Sequence, residues 1–351
     1  MKQILFLLLI CIVFLGQAKA ETPCDVESAT RRGLARVKQA ASDWQDNKTC
    51  FSCHHQTLPM LATLEGARVG FPLDKAWLKS QADTTHRFFT RSIKTMDAGE
   101  HLAGGAGTVA FGFWALSLDQ RPADQTTASM VTYMLKIQGV VRSSDRKPNA
   151  TLKLEDGRWQ ASCRRAPMQA SLICDTVLVL MGLEKYATPE QRPQLKMART
   201  AAEQWLAKAP MKEQQGRLWR LWGLHHLGGD ESLKKSTLAA IYAAQREDGG
   251  WAEAEDGQSD TYSTGQTLFM LLKTGTAQEH PSIVRARDYL LKTQYADGSW
   301  LATSHVKFKE QPYFENGDPH GVNQFLSTAA TAWATAGLAR LLPPKPTASN
   351  P

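Results

Sequence analysis

A short motif, a Gln followed by an Asp-Gly-x-Trp turn, recurs in this chain and limits its fold more than any other feature. One copy is QREDGGW at 245–251 and another is QYADGSW at 294–300, so their tryptophans lie 49 residues apart. A looser copy pairs Gln138 with the DGRW at 156–159, after an insertion. A regular spacing of this size is typical of an array of helical hairpins.

Each part of the motif has a physical role. Asp-Gly favours a tight turn, because glycine tolerates positive φ. The Gln amide can bond the open carbonyl groups at a helix end, and the Trp can pack on the turn. Trp159 precedes Trp251 by 92 residues, which is two steps of 46, and Trp205 lies halfway, so the period is 46–49 residues. We therefore predict repeated units of an outer helix, a turn and an inner helix rich in small residues.

Composition supports an all-helical globular protein. Apolar residues make up 42% of the 351 residues and recur mostly at helical spacing. This content excludes disordered and collagen-like chains. The formal net charge is +7, but the basic residues are scattered, so we expect no nucleic-acid partner.

The first 20 residues have the pattern of a secretory signal peptide. Lys2 precedes an apolar run, 4–16, and Ala18-Lys19-Ala20 follows. We expect residues 1–20 to be cleaved and the protein to be periplasmic or secreted, with no transmembrane helix in the mature chain. Five cysteines then remain, an odd number in an oxidising compartment, so some of them are expected to do more than pair with each other.

The sequence Cys50-Phe51-Ser52-Cys53-His54 is the C-x-x-C-H signature of covalent haem c attachment. Two thiols at this spacing can reach the two vinyl groups of one porphyrin, and the adjacent imidazole can bind the iron from the proximal side. A C-x-x-C disulfide and half of a zinc site remain as alternatives. A disulfide between Cys163 and Cys174 is a further open possibility. The sixth iron position is open. It could be empty, or it could be filled by one of these candidates: Met60, His86, Met96, His101, Met130, Met134 and Met168.

Two resemblances follow from these motifs. The segments at 245–251 and 294–300 resemble the QW repeats of squalene–hopene cyclases and protein prenyltransferases, which implies an αα-toroid over roughly 100–342. Together with CFSCHHQ at 50–56, other segments resemble a bacterial family of exported cytochrome c-type proteins with prenyltransferase/squalene oxidase repeats. These segments are RRAPMQAS at 164–171, SDTYSTGQTL at 259–268 and YFENGDPHG at 313–321. That resemblance implies a covalent haem.

The domain prediction divides the chain into a signal peptide (1–20), an N-terminal haem-binding helical segment (21–99), a toroid (100–342) and a disordered tail (343–351). If the repeats align as expected, six polar side chains gather at the inner-helix ends and are candidates for a substrate cavity. They are Asp260, Tyr262, Gln266, Tyr313, His320 and Gln324. A structural role in turns and caps is the competing interpretation.

The leading functional hypothesis is an exported haem c protein that transfers electrons to a periplasmic redox partner or acts as a haem-dependent oxidoreductase. The alternative is a terpenoid cyclase-like or prenyltransferase-like protein that binds an isoprenoid-like molecule without haem. The D-x-D-D acid of class II terpene cyclases is missing from the sequence, so we do not expect that activity. A non-catalytic scaffold is a third hypothesis.

Overall fold

The computed structural model describes residues 25–142, 151–153, 156–162, 167–168, 170–303 and 317–345. Most of these residues are helical, and local chemistry sets many of the helix starts. Side-chain oxygens accept a hydrogen bond from the backbone N–H three residues on, which satisfies a donor that the helix leaves open. The capping residues are Asp25, Asp74, Asp124, Ser171, Asp230 and Asp260.

The helices alternate between an outer and an inner layer. The outer helices bury one face each, whereas most of the inner helices are buried on nearly all sides. The outer helices are α1 (Val26–Asn47), α3 (Lys75–Arg91), α6 (Gln125–Ile137), α8 (Arg192–Lys208), α10 (Glu231–Ala243) and α12 (Pro281–Thr293). The inner helices are α2 (Leu58–Arg68), α5 (Gly105–Leu118), α7 (Leu172–Tyr186), α9 (Gln214–His226), α11 (Thr261–Lys273) and α13 (Gln324–Arg340).

The inner helices close into a ring, because each packs on the next and α13 packs back on α2. Alternation with antiparallel outer helices gives all inner helices the same direction, so their N-terminal ends share one end of the ring. We call the space that they surround the lumen. A short helix, α4 (Ile93–Ala98), follows α3, and a π-helical turn (Cys53–Thr57) precedes α2. A 3₁₀ turn (Gly321–Asn323) precedes α13.

The described residues also include one small ribbon inside the insertion after α6. Strand β1 (Val140–Arg142) pairs antiparallel with β2 (Thr151–Lys153), with Val141 opposite Leu152. The all-α prediction is confirmed for the body of the protein, and the ribbon is a local addition to it.

The ring of helices begins earlier in the chain than the sequence predicts. Residues 21–99 were expected to form a segment separate from a toroid at 100–342. Instead α1 and α2 form a hairpin of the ring itself, because α1 packs on α13 and α2 lies between α13 and α5. The C-x-x-C-H motif therefore belongs to the ring rather than to an appended segment.

The repeated turns use one set of hydrogen bonds. In the turn after α12, the Gln294 amide donates to the carbonyls of Gly298 and Ala29, at 3.1 and 3.0 Å. The Trp300 indole donates to Leu290 in α12, and its backbone N–H donates to Thr331 in α13. The turns at Trp159 and Trp251 repeat this pattern. Each Gln thus ties its turn to the next outer helix, and Gln294 closes the circle on α1.

The turn glycines are required for two reasons. Gly249 and Gly298 both have φ of +88°, which L-residues with side chains rarely adopt. A Cβ on Gly298 would also lie 2.6 Å from the Arg32 carbonyl group in α1. The turn can therefore approach the neighbouring outer helix only if it carries glycine at this position.

One element of the predicted period is wrong. Trp205 lies at the expected halfway position, but it is part of α8 and only partly buried rather than clamping a turn. The connection from α8 to α9 has no Gly-x-Trp sequence. None of the described helices is both long enough and apolar enough to cross a membrane.

Candidate functional site

The C-x-x-C-H motif lies at the N-terminal end of the inner ring, and its Cys53 and His54 begin the π-helical turn that leads into α2. Ser52 caps this turn, and its hydroxyl lies 3.0 Å from the Nδ1 atom of His55. The Gln56 side chain accepts from the Ser52 N–H, and Thr57 donates to the Phe111 carbonyl in α5. π-helical turns are rare and are often found at functional sites.

Aromatic side chains hold the motif against α1 and α13. The Trp44 indole donates to the Cys50 carbonyl and stacks on His55 with ring centres 4.6 Å apart. Phe325 packs 5.9 Å from the His54 ring. Burial lowers the pKa of His55 well below its ordinary value, so His55 is a neutral, packed residue beside the motif.

The motif presents two thiols in different environments. Cys50 is exposed, whereas Cys53 is buried, with its Sγ atom 3.3 Å from Nδ1 of His54. Cys174, at the start of α7, is also a buried thiol, and no disulfide joins Cys50 to Cys53. Cys163, the partner considered for Cys174, lies outside the described residues. Because both Cys50 and Cys53 remain thiols, the motif has the donors that covalent haem attachment requires.

The side chain of Tyr262 links α11 to α9. Its hydroxyl donates to Gln215 at 2.7 Å. Burial raises its pKa well above the ordinary value, and charge interactions with Cys174 and Cys53 raise it further. Cys53 and Cys174 are thus both near enough to Tyr262 for their charges to act on its hydroxyl, and the expected role of Tyr262 in a substrate cavity stays a prediction.

Deeper in the ring lies a layer of aromatic side chains from four inner helices. The Trp114 ring packs 5.7 Å from Trp219 and 5.9 Å from Trp333. Phe269 packs 5.5 Å from Trp333. Gln266 lies four residues after Tyr262 and three before Phe269, so helical spacing places it on the same face. We call Trp114, Trp219, Phe269 and Trp333 the aromatic layer.

The other predicted cavity residues do not all converge on the lumen. Asp260 caps α11 and accepts from Ser263, and it also lines a cavity of about 670 Å³. His320 hydrogen-bonds Ser299 in a turn, which is the structural role given as the competing interpretation. Gln324 is buried in the first turn of α13. Tyr313 lies outside the described residues.

The candidates for a sixth iron ligand are mostly core residues. Met168 is almost fully buried, and His86 lies 2.6 Å from an oxygen of Asp124. The other methionines are completely buried: Met60, Met96, Met130 and Met134. Within the described residues, no group of three or more His, Cys, Asp and Glu side chains is arranged to hold a metal ion.

The sequence analysis did not single out three carboxyl groups with shifted pKa values, of which two are buried and one, Glu253, is half-buried. Burial raises the pKa of Asp175, Glu253 and Asp318 to about 7 in each case. Asp175 accepts from the Ala161 N–H at 2.7 Å, which opposes the shift without cancelling it. Asp175 could have been found from the sequence, because it is a carboxylate among small and apolar residues in the first turn of an inner helix. Glu253 lies in a polar, acidic segment that is typical of a solvated loop, so its partial burial could not be predicted from the sequence.

Comparisons with known proteins identify the fold. No protein-family model and no curated protein matches the chain. Among solved structures, it resembles the apo type II terpene cyclase MstE from Scytonema, with a TM-score of 0.51 and 14% identity. That match covers 90% of this chain and 98% of the other. The fold is an αα-toroid.

Other matches show how widely this toroid is used. A glycosidase variant aligns with a TM-score of 0.57 and 11% identity, over 91% of this chain and 98% of the other. A variant of MstE in complex with geranylgeranyl dihydroxybenzoate aligns with a TM-score of 0.53 and 13% identity, over 90% and 100%. Because the two enzyme classes share the αα-toroid and differ in chemistry, the likeness establishes the fold alone.

Proposed function

We propose that Cys50 and Cys53 hold a covalent haem whose iron is bound by His54, and that the protein is an exported redox protein. The single observation that carries this proposal is the donor set: two thiols three residues apart, the second at the start of a π-helical turn, with an imidazole directly after it. The expected signal peptide supports the proposal, because attachment of haem c follows export.

The chain's own residues would prepare the attachment. Cys50 and Cys53 would each add an S–H across one vinyl group, so that no atom is lost in forming the two thioethers. Trp44 and Ser52 hold the segment in place through the Cys50 carbonyl and the His55 ring. When bound, the haem would supply one-electron chemistry, tuned by its axial ligands and its burial.

The comparisons with solved structures do not bear on the haem, and they support a second candidate better. In this candidate the toroid binds an isoprenoid-like molecule in its lumen. The aromatic layer favours it, because it gives an apolar chain flat surfaces inside the ring. The missing D-x-D-D sequence separates such binding from class II cyclisation.

An absorption spectrum tests the haem proposal. We expect the protein, exported from cells that contain the haem c maturation machinery, to keep a Soret band after denaturation and gel electrophoresis. Cys50→Ala with Cys53→Ala is expected to remove the band while leaving the far-UV circular dichroism helical. Cys174→Ser is the matched control, since it removes a buried thiol outside the motif. A colourless wild-type protein would refute the proposal.

The second candidate is tested with geranylgeraniol as the probe. We expect binding measured by quenching of tryptophan fluorescence, because the aromatic layer would touch the chain of the probe. Trp114→Ala should weaken the binding, whereas Trp205→Ala, outside the lumen, should not. Unchanged fluorescence at saturating geranylgeraniol would count against an isoprenoid-binding lumen and leave the haem proposal unaffected.

A further inference from the structure

A second cavity lies away from the C-x-x-C-H motif, between α8, α9 and α10. Its volume is about 420 Å³, within the range of pockets that hold small organic molecules. Apolar side chains make up much of its wall: Val177, Leu206, Leu224, Leu227 and Leu233. The wall is suited to an aliphatic chain.

One charged side chain in this wall is buried without a counter-ion. Arg220 is only 5% exposed, and its Nη2 atom donates to the Ala209 carbonyl. Its Nε atom is enclosed and has no acceptor within the described part of the chain. No described carboxylate lies within ion-pair distance of Arg220, and burial lowers its pKa.

The neighbouring arginine shows what a satisfied guanidinium looks like in the same wall. Arg199 donates to Glu203 at 2.6 Å, to Glu184 at 2.8 Å and to the Leu227 carbonyl at 2.6 Å. Arg199 therefore needs no further anion. Arg220 has one acceptor where Arg199 has three.

A buried charge without a partner is costly, and the cost falls when an anion binds it. The guanidinium group matches a carboxylate, because its N–H groups form a fork that two oxygens can accept. An apolar wall with one such group therefore suits a molecule with an aliphatic chain and an anionic end.

The other charges of the cavity favour a single negative charge on that molecule. Glu203 and Asp230 also line the wall. Arg199 neutralises Glu203, and Asp230 accepts from Leu233 as the cap of α10. A dianion such as a phosphate monoester would meet both carboxylates, whereas a carboxylate has half of that repulsion.

We propose that this cavity binds an aliphatic carboxylic acid, with the carboxylate on Arg220 and the chain along the four leucines. The site is separate from the haem motif and does not depend on the proposed function.

Titration calorimetry of the full-length mature protein with decanoate tests the proposal. We expect decanoate to bind with one site per chain. Decan-1-ol should bind at least about tenfold more weakly, because it lacks the charge-assisted hydrogen bonds. Decyl phosphate should also bind more weakly than decanoate. No heat of binding with decanoate, or equal affinity for decanoate and decan-1-ol, would overturn the proposal.

Variants locate the binding site. Arg220→Met should reduce the affinity for decanoate at least about tenfold. Arg192→Met, at an exposed arginine of α8, should leave it unchanged. If Arg220→Met does not fold, Leu233→Trp keeps Arg220 and fills the cavity instead, and it should also abolish binding. Wild-type affinity in either cavity variant would contradict the proposed site.

Discussion

The side-chain oxygens of two glutamines in the repeat turns and of three glutamines in the inner helices are in opposite states. In the turns, Gln245 and Gln294 each donate to two carbonyl groups and accept from an arginine of a neighbouring helix. In the inner helices, the side-chain oxygens of Gln214, Gln266 and Gln324 are buried with no partner within the described residues.

This difference separates scaffold from site. A buried polar atom is normally hydrogen-bonded, so a saturated network indicates a structural role. Unpartnered acceptors at the N-terminal end of the inner ring remain able to bind water or a ligand. The turns therefore account for the stability of the fold. The inner ring contains the unpartnered polar groups that could bind a ligand specific to this protein.

The largest effect is expected from a turn tryptophan. Trp251→Ala should lower the free energy of unfolding by about 3–5 kcal/mol, because Trp251 is completely buried and its indole bonds Ile241. Urea unfolding followed by circular dichroism measures this loss. Trp205→Ala is the control and should cost clearly less. Equal losses would show that the turns are not special.

A pH series examines the inner ring next. The pKa of Asp175 is raised to about 7 by burial, while in an unfolded chain it has the ordinary aspartate value of 3.8. Between these values the unfolded state releases a proton that the folded state keeps, so stability falls as pH rises from about 4 to 7. The free energy of unfolding of Asp175→Asn should therefore decrease less over this pH range than that of the wild type, by up to about 4 kcal/mol. Asp256→Asn, at an exposed carboxylate, should retain the full decline, and a decline left intact in Asp175→Asn would contradict the assignment.

A turn glutamine should have a smaller effect. Gln294→Ala leaves the carbonyls of Ala29 and Gly298 without their donor, which should cost about 1–3 kcal/mol of stability. Gln278→Ala removes an exposed hydrogen bond to Arg340 and is expected to be nearly neutral. Chemical denaturation of both variants gives the difference, and equal stability would remove the ring-closing role of Gln294.

The smallest effect is expected from an inner glutamine. Gln266→Met removes an unpartnered buried acceptor and keeps a similar volume, so stability should change by less than about 1.5 kcal/mol in either direction. The melting temperature of the ligand-free protein is the measurement. A loss as large as that of Gln294→Ala would mean that Gln266 is part of the scaffold too.

The sequence predicted the repeated hairpins well, because their signals are local. Gly298 and Trp300 need a particular backbone and a particular pocket, and both are visible as spacing. The N-terminal hairpin was missed as part of the ring because it carries no Asp-Gly-x-Trp turn. Its place depends on the closure of α1 and α2 onto α13, which is a long-range contact that no local pattern encodes.

The candidate site was predictable only in part. Tyr262 connects two inner helices through its hydrogen bond to Gln215, and its expected place in a substrate cavity stays a prediction. Asp260 and His320 satisfy backbone and hydroxyl groups within turns, a role that the same polar residue types also suit. The uncompensated Arg220 could not be found from sequence, because the lack of a counter-ion is a property of the packed structure.

The central claim is the covalent haem on the C-x-x-C-H motif. Mass spectrometry of the peptide that spans 50–54, from protein exported by cells with the maturation machinery, tests it most directly. We expect this peptide to carry the added mass of one haem, and the peptide containing Cys174 to carry none. A 50–54 peptide with the mass of unmodified residues would refute the covalent haem and leave the αα-toroid without its proposed redox function.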